Sequence, residues 1–130
     1  MARAHRAHQP LGLLMLDLDD FKRANDTYGH VVADELLVAL GGALRDAVRA
    51  EDVVGRVGGD EFAVVVPDAD EAETARLAER VRTRLFAEGA AMRVGVSVGA
   101  AALHAGDDAR ELRQRADRAL YVAKRATTSA

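Results

Sequence analysis

Arg56-Val57-Gly58-Gly59-Asp60-Glu61-Phe62-Ala63-Val64-Val65-Val66 sets two adjacent glycines and two carboxylates between short apolar runs. Adjacent glycines between such runs signal a hairpin, because a tight turn asks for backbone angles that a side chain opposes. The tip of that hairpin carries acid. Gly58 and Gly59 also leave the backbone open to a phosphate or a base, and Asp60 and Glu61 offer hard oxygen ligands of the kind Mg2+ takes. The same residues suit an ordinary solvated turn, so the choice between the two depends on what the rest of the chain brings to them.

Working outward, Val53 to Val57 reads as the first arm and Phe62 to Val66 as the second, stopped by Pro67, which has no N–H for the ladder. Upstream, Leu11 to Leu18 contains the unbroken run Leu13-Leu14-Met15-Leu16, the pattern of a central strand covered on both faces. It leads into Asp17-Leu18-Asp19-Asp20-Phe21-Lys22, where acid begins as the apolar run stops. Asn25 to His30 is a turn by composition. Val32, Leu36, Leu40, Leu44 and Val48 then recur every fourth position, which puts them on one helix face. Gly41 and Gly42 inside that helix each cost about 1 kcal/mol relative to Ala, and close packing on the sheet is the expected reason for them.

Downstream, Asp70-Glu71-Ala72-Glu73 has the form of a capping box at a helix start. The helix reaches about Glu88-Gly89, with Leu77, Ala78, Val81 and Leu85 inward and Arg76, Arg80 and Arg84 as an outer, solvated stripe. Met92 to Leu103 alternates valines with small residues, a strand that leaves room for a close neighbour. Asp107 or Asp108 caps a last helix with Leu112, Ala116, Ala119, Leu120 and Ala123 inward. It is expected to end at Lys124-Arg125, with 127–130 a disordered tail, while residues 1–9 look like the end of a helix. The order strand, helix, two-strand hairpin, helix, strand, helix is α/β with a mixed sheet flanked by helices, since helical crossovers usually join parallel strands.

Composition narrows the function classes. With 130 residues the chain suits one domain, burying on the order of two-thirds of its unfolded surface. A net charge of -3 argues against a dedicated binder of nucleic acid polymers or anionic membranes, while 18 Lys and Arg leave room for local anion sites. Cysteine is absent, which removes thiolate metal sites and disulfides. No apolar run approaches the roughly 20 residues of a membrane span, and Met-Ala-Arg-Ala-His-Arg lacks the apolar core of a secretion signal. A soluble cytoplasmic protein without membrane contact is expected.

Chemistry enters through pairing. Asp17 ends a buried strand and Asp60 sits at the hairpin tip, so if the two strands are neighbours their carboxylates meet at one sheet edge. Either acid alone also reads as a turn or cap residue; the metal reading rests on the pair. Hard cations between two acids, with a Lys nearby, form a recurring arrangement for moving a phosphoryl or nucleotidyl group. Lys22 and Lys124 are candidates for that Lys.

Asp17-Leu18-Asp19-Asp20-Phe21-Lys22-Arg23-Ala24-Asn25-Asp26, then Tyr28-Gly29-His30, Asp34, Arg56 to Phe62, and Ala116 to Lys124 together resemble the GGDEF family of diguanylate cyclases. The likeness runs over nearly the whole chain in the right order and spacing. It implies a palm-like nucleotide cyclase domain with a catalytic β-hairpin, condensing two GTP into cyclic di-GMP. By the same resemblance Asp17, the Leu18 carbonyl and Asp60 would hold Mg2+, and Asp60 would be the base for the attacking 3'-hydroxyl with Glu61 in support. Lys22 would stabilise the developing phosphate charge, Asn25 and Asp34 would read the guanine edge, and Lys124 would contact the terminal phosphates. Each domain would hold one GTP, which implies a homodimer, at least a transient one.

Arg49-Ala50-Glu51-Asp52 stands where many family members carry an Arg-x-x-Asp site for product inhibition, and Arg80 matches a further arginine of that site. The plain alternative is a charge pair at a helix end. Family members usually begin with a helix and an Asp-x-Leu-Thr-Gly-Leu-x-Asn-Arg turn, which nothing here matches; the expected domain is therefore 1–126 without that segment. Ala33 replaces a usual Gly, and Thr127-Thr128-Ser129 replaces a customary Gly-Arg-Asn. The rival to an enzyme is an impaired module that binds GTP or cyclic di-GMP and regulates a partner. Degenerate members usually lose the hairpin's glycines or acids, and retention of Gly58, Gly59, Asp60, Glu61 and Asp17 favours the enzyme.

Overall fold

The computed structural model describes residues 9–129, with side chains up to Ala126. The helix end expected over residues 1–9 lies outside the described residues except for Gln9, which is not helical. The described elements are β1 (Leu11–Asp19), α1 (Phe21–Tyr28), α2 (His30–Ala47), β2 (Val53–Arg56), β3 (Glu61–Pro67), α3 (Glu71–Gly89), a 3-10 turn (Ala90–Met92), β4 (Gly95–Ala102) and α4 (Ala109–Ser129).

The strands form one sheet in the order β2-β3-β1-β4, and every neighbouring pair is antiparallel. This corrects the expected mixed sheet. The crossovers do join strands of like direction, β1 with β2 and β3 with β4, but an antiparallel strand is inserted between the members of each pair. The result is a split βαβ arrangement, in which helical connections coexist with a fully antiparallel ladder.

β1 is central, and the alternation of its side chains explains its unbroken apolar run. Leu14, Leu16 and Leu18 join Phe62, Val64 and Val66 of β3 in the main core, against Leu36, Leu40 and Leu44 of α2 and Leu77, Val81 and Leu85 of α3. Met15 faces the other way, onto Ala116 and Leu120 of α4. Asp17 and Asp19 follow it on that same α4 side. Leu14, Leu16, Leu40, Leu44, Val64 and Val81 are fully buried, each stabilising the fold by about 1.5–3 kcal/mol.

Several local expectations are corrected. The stretch 25–30 is not a turn: α1 runs through it to Tyr28, and the break is Gly29 at φ 88°. Its polar composition concealed one buried contact, Ala24, which is fully inaccessible and anchors the short helix. Val32 is 41 % exposed rather than inward; Ala33 and Leu37 take the inner positions beside Leu36. A Cβ at Gly41 or Gly42 would meet nothing within 4 Å, so close packing does not account for that pair. At Gly99, by contrast, a Cβ would collide with the backbone of Ala116 and Leu120. The helix over the sheet lies that close at β4.

The caps fall where the sequence places them. Asp70 Oδ1 accepts from Glu73 N at 2.8 Å, and Glu73 Oε1 accepts from Asp70 N at 3.1 Å. Asp108 and Glu111 repeat this pattern at the start of α4, at 2.8 and 3.3 Å. Asp107 turns inward instead, accepting from His104 N at 2.7 Å and pairing with Arg115 at 2.7 Å. Finally, α4 runs to Ser129, past the end expected at Lys124-Arg125.

Candidate active site

Residues 57–60 connect β2 to β3. Val57 N and Gly58 N both donate to the Glu61 carbonyl, at 2.9 and 3.4 Å. The Arg56 guanidinium straps the tip, donating to Gly58 O at 3.1 Å and to Gly59 O at 2.6 Å. Gly29 and Gly106 are the glycines at positive φ among the described residues, so neither Gly58 nor Gly59 is required by its backbone angles. Space is what they provide. A Cβ on Gly58 would sit 3.0 Å from Glu61 Oε1, while Gly59 faces nothing within 4 Å, which leaves the hairpin tip clear for a large ligand.

β1 and β3 are adjacent, as the pairing of acids requires. Asp17 is the register partner of Glu61, and Leu18 N donates to the Asp60 carbonyl at 3.1 Å. The acids of both strands therefore gather at one edge of the sheet. Across from them Lys124, on α4, brings its Nζ to 3.0 Å from Asp17 Oδ2, 3.0 Å from Asp19 Oδ1 and 3.4 Å from the Leu18 carbonyl. The buried Ser97 hydroxyl of β4 lies 3.0 Å from each Asp19 oxygen and fixes that carboxylate. Burial pushes the Lys124 ammonium down, but the bonds and charge of Asp17 and Asp19 outweigh it and hold its pKa above the ordinary lysine value.

Among the described residues no three His, Cys, Asp or Glu side chains converge as a metal-binding group. The convergent set is instead two carboxylates and one carbonyl around an ammonium, all hard oxygens on a cation. Such a donor set fits Mg2+ by charge and ligand type. Asp17 and Leu18 belong to it directly, and Asp60 is adjacent through its backbone.

Lys22 and Asn25 lie on α1. Lys22 is exposed. The Asn25 Oδ1 is buried without a hydrogen-bond partner among the described residues, an orphan acceptor of the sort that normally has an explanation. Asp34 is exposed on α2, one helix on from Asn25 across the Gly29 break. It lines a cavity of about 340 Å3 with Arg56 and Phe62, between the helix and the hairpin.

Arg49 and Arg80 share a second cavity, of about 320 Å3, with Arg76 and Glu73. Arg49 donates to the Pro67 carbonyl at 2.7 Å and Arg80 to the Ala47 carbonyl at 2.9 Å. Arg84 lies 4.0 Å from Asp46. The basic stripe of α3 is therefore not merely solvated: it ties α3 to the C-terminal carbonyl end of α2, where cations are favoured. The Asp52 side chain has no exposure and is bonded to Arg49, which holds Arg49's pKa above its ordinary value.

Sequence reasoning missed Asp19, Ser97 and Arg56. Asp19 had a signal, since it lies two residues from Asp17 and must share its face. Ser97 acts on Asp19, 78 residues away in the chain, for which the sequence offers no local pattern; Arg56 lies beside the glycines it binds, and an arginine at the foot of a Gly-Gly tip was the signal available.

A family model described as diguanylate cyclase, GGDEF domain, matches residues 1–130. The chain belongs to the GGDEF family. Diguanylate cyclase DosC of Escherichia coli K12 is 44 % identical over 131 residues, covering 96 % of this chain and 28 % of DosC. The GGDEF domain thus spans little more than a quarter of that relative. Among solved structures, the active GGEEF domain of a diguanylate cyclase from Vibrio cholerae superposes with a TM-score of 0.87 at 38 % identity, over 95 % of this chain and 82 % of the other. The GGDEF domain of DgcB from Caulobacter crescentus, in complex with c-di-GMP, gives 0.86 at 28 % identity, over 96 % and 78 %. This GGDEF domain has the palm-like cyclase fold that those neighbours share.

Proposed function

We propose that this GGDEF domain is a diguanylate cyclase that condenses two GTP into cyclic di-GMP with release of pyrophosphate. The observation that carries the reading is the gathering of Asp17, the Leu18 carbonyl, Asp60, Glu61 and Lys124 at one sheet edge. An open glycine tip beside that edge leaves room for the triphosphate.

In this reading Asp60 accepts the proton of a GTP 3'-hydroxyl as it attacks the α-phosphorus of a second GTP. Lys22 and Lys124 offset charge on the phosphates as pyrophosphate leaves. Mg2+, held by Asp17, the Leu18 carbonyl and Asp60, would supply Lewis-acid neutralisation of the phosphates. Asn25 and Asp34 bind the guanine edge, and the partnerless Asn25 Oδ1 gains a donor when the base is in place. Glu61 and the glycines Gly58 and Gly59 complete the substrate's surroundings. One domain holds one GTP, so turnover requires two copies facing each other. Arg49, Asp52 and Arg80 form a site through which cyclic di-GMP inhibits the enzyme, a reading supported by the cavity that Arg49 and Arg80 line, with Asp52 holding Arg49 through a hydrogen bond. The single domain extends over the matched residues, and a cytoplasmic setting supplies its GTP.

The test is direct. Concentrated protein is incubated with GTP and Mg2+, and the mixture is separated for cyclic di-GMP and pyrophosphate. Product from the parent and none from Asp60→Asn, with GTP binding retained by both, supports the cyclase. Tight GTP binding with no product from the parent at any concentration instead supports a regulatory binding module.

A further inference from the structure

Lys124 stands in a position that the proposed reaction does not explain. A lysine whose task is to meet phosphates needs only to reach outward, yet its Nζ is 3.0 Å from Asp17 Oδ2, 3.0 Å from Asp19 Oδ1 and 3.4 Å from the Leu18 carbonyl. Two of those three groups are the ones proposed to hold the divalent cation. The third, Asp19, is fixed by Ser97 of the neighbouring strand. So the contact is built: two strands, β1 and β4, and the helix α4 contribute to it or hold it, and the ammonium is at its centre.

We propose that Lys124 is a tethered counter-ion, whose ammonium occupies the cation position of Asp17, Leu18 and Asp19 until metal and nucleotide arrive together and draw it off to the phosphates. The inference rests on the reading of Asp17 and Leu18 as cation ligands. Charge arithmetic motivates it. Two carboxylates with one ammonium carry a net charge of -1, a stable resting state, whereas a divalent ion added beside a retained ammonium would face a like charge within a few ångström. The ammonium must move for the ion to bind well. Lys124 allows this, because its side chain is 40 % exposed and projects from α4 one turn beyond the buried Leu120 on a flexible stem.

The consequence is coupling between ligands. Metal alone must compete with the ammonium for Asp17 and the Leu18 carbonyl, whereas nucleotide offers the ammonium phosphate oxygens in exchange for those groups. Metal and nucleotide therefore bind cooperatively through Lys124, and by linkage each raises the affinity of the other by the same factor. Asp19 is the positioning residue that keeps the ammonium docked.

The test measures Mn2+, an oxygen-seeking stand-in for Mg2+, by titration calorimetry without nucleotide and again with a non-hydrolysable GTP analogue. For the parent, Mn2+ alone binds weakly and the analogue strengthens it. Lys124→Met is expected to bind Mn2+ alone about tenfold or more tightly than the parent, the low end of what removing a unit charge beside a divalent ion produces, and to lose most of the analogue's effect. Lys124→Gln, neutral but polar, is measured in parallel and should match it. Lys124→Arg keeps the charge and should retain weak Mn2+ binding. Melting temperatures without nucleotide give a second readout: the neutral variants melt lower than the parent without metal, and Mn2+ raises them more than it raises the parent. Equal Mn2+ affinity of parent, Met and Gln variants overturns the counter-ion role while leaving the cation site in place. No Mn2+ binding by any of them, even with the analogue, overturns the cation site and this inference with it.

Discussion

Both carboxylate oxygens of Asp52 are engaged by Arg49, Oδ2 by its backbone N–H at 2.8 Å and Oδ1 by its guanidinium at 3.3 Å. The Asp52 side chain has no solvent exposure, so the pair closes the loop between α2 and β2 before any ligand is considered. Asp52→Ala leaves the part-buried Arg49 N–H without its carboxylate and should lower unfolding free energy by about 1–3 kcal/mol. Arg49→Ala leaves the backbone bond in place and should cost less. Urea titration of the two variants checks the order, and equal losses would remove the backbone bond as the cause. The proposed inhibitory site requires that both variants also lose cyclic di-GMP binding by calorimetry.

Glycines at different places in the fold should respond oppositely to substitution. A Cβ at Gly99 runs into the Ala116 carbonyl and the Leu120 amide, backbone atoms that cannot rotate away, so Gly99→Ala should cost about 1–3 kcal/mol or more by lifting α4 from the sheet. Lys124 follows Leu120 on that helix, and GTP turnover should fall with stability. Gly41→Ala and Gly42→Ala meet nothing within 4 Å inside a helix, and each should stabilise by about 0.5–1 kcal/mol. Thermal melts of the three variants decide it; destabilisation at Gly41 or Gly42 would show that the pair serves a contact outside this chain.

What the sequence made legible was whatever is local or periodic. The central strand follows from an unbroken apolar run, and the hairpin arms, the Asp70-Glu73 cap and the inner faces of α3 and α4 from features a few residues long. The interleaving of strands was not legible, because like direction across a helical crossover does not say whether a third strand enters between the two. Composition also misread α1, whose Asn, Asp and Thr suit a turn until Ala24 is buried by distant residues. At the site, Asp17 and the hairpin acids could be paired by reasoning about strand ends. The contact of Lys124 with Asp17 and Asp19 could not, since it depends on how deeply α4 sits over Gly99.

Acid should weaken the anchoring of α4. The Arg115 guanidinium first, and the His104 backbone N–H next, hold the Asp107 carboxyl below the ordinary carboxylate range. A depressed folded-state pKa means that the stability it contributes is fully present above the unfolded value, about 3.9 for Asp, and is lost as pH falls through the lower folded value. Asp107→Asn should be less stable than the parent at neutral pH, and the gap should narrow as pH drops below about 4. Chemical denaturation at a series of pH values measures that gap. A gap independent of pH would assign the loss to packing rather than to the ion pair.

Base selection is the most exacting test of the cavity between α2 and the hairpin. Asp34 lines it with Arg56 and Phe62, and as an exposed residue it can be changed without disturbing the core. A carboxylate accepts from both the ring N–H and the exocyclic amine of guanine, and adenine presents no such pair of donors on that edge. Asp34→Asn replaces one acceptor by a donor that faces the guanine donors. Discrimination by a site that hydrogen-bonds its substrate reaches far above a hundredfold when the groups are buried, and the exposure of Asp34 lowers it here. A fall of roughly 10–100-fold in GTP affinity is expected, with ATP affinity unchanged and the melting temperature within a degree or two of the parent. Competition between labelled GTP and unlabelled ATP reads the ratio directly. If GTP affinity survives the substitution, the base lies elsewhere and the partnerless Asn25 oxygen needs another ligand.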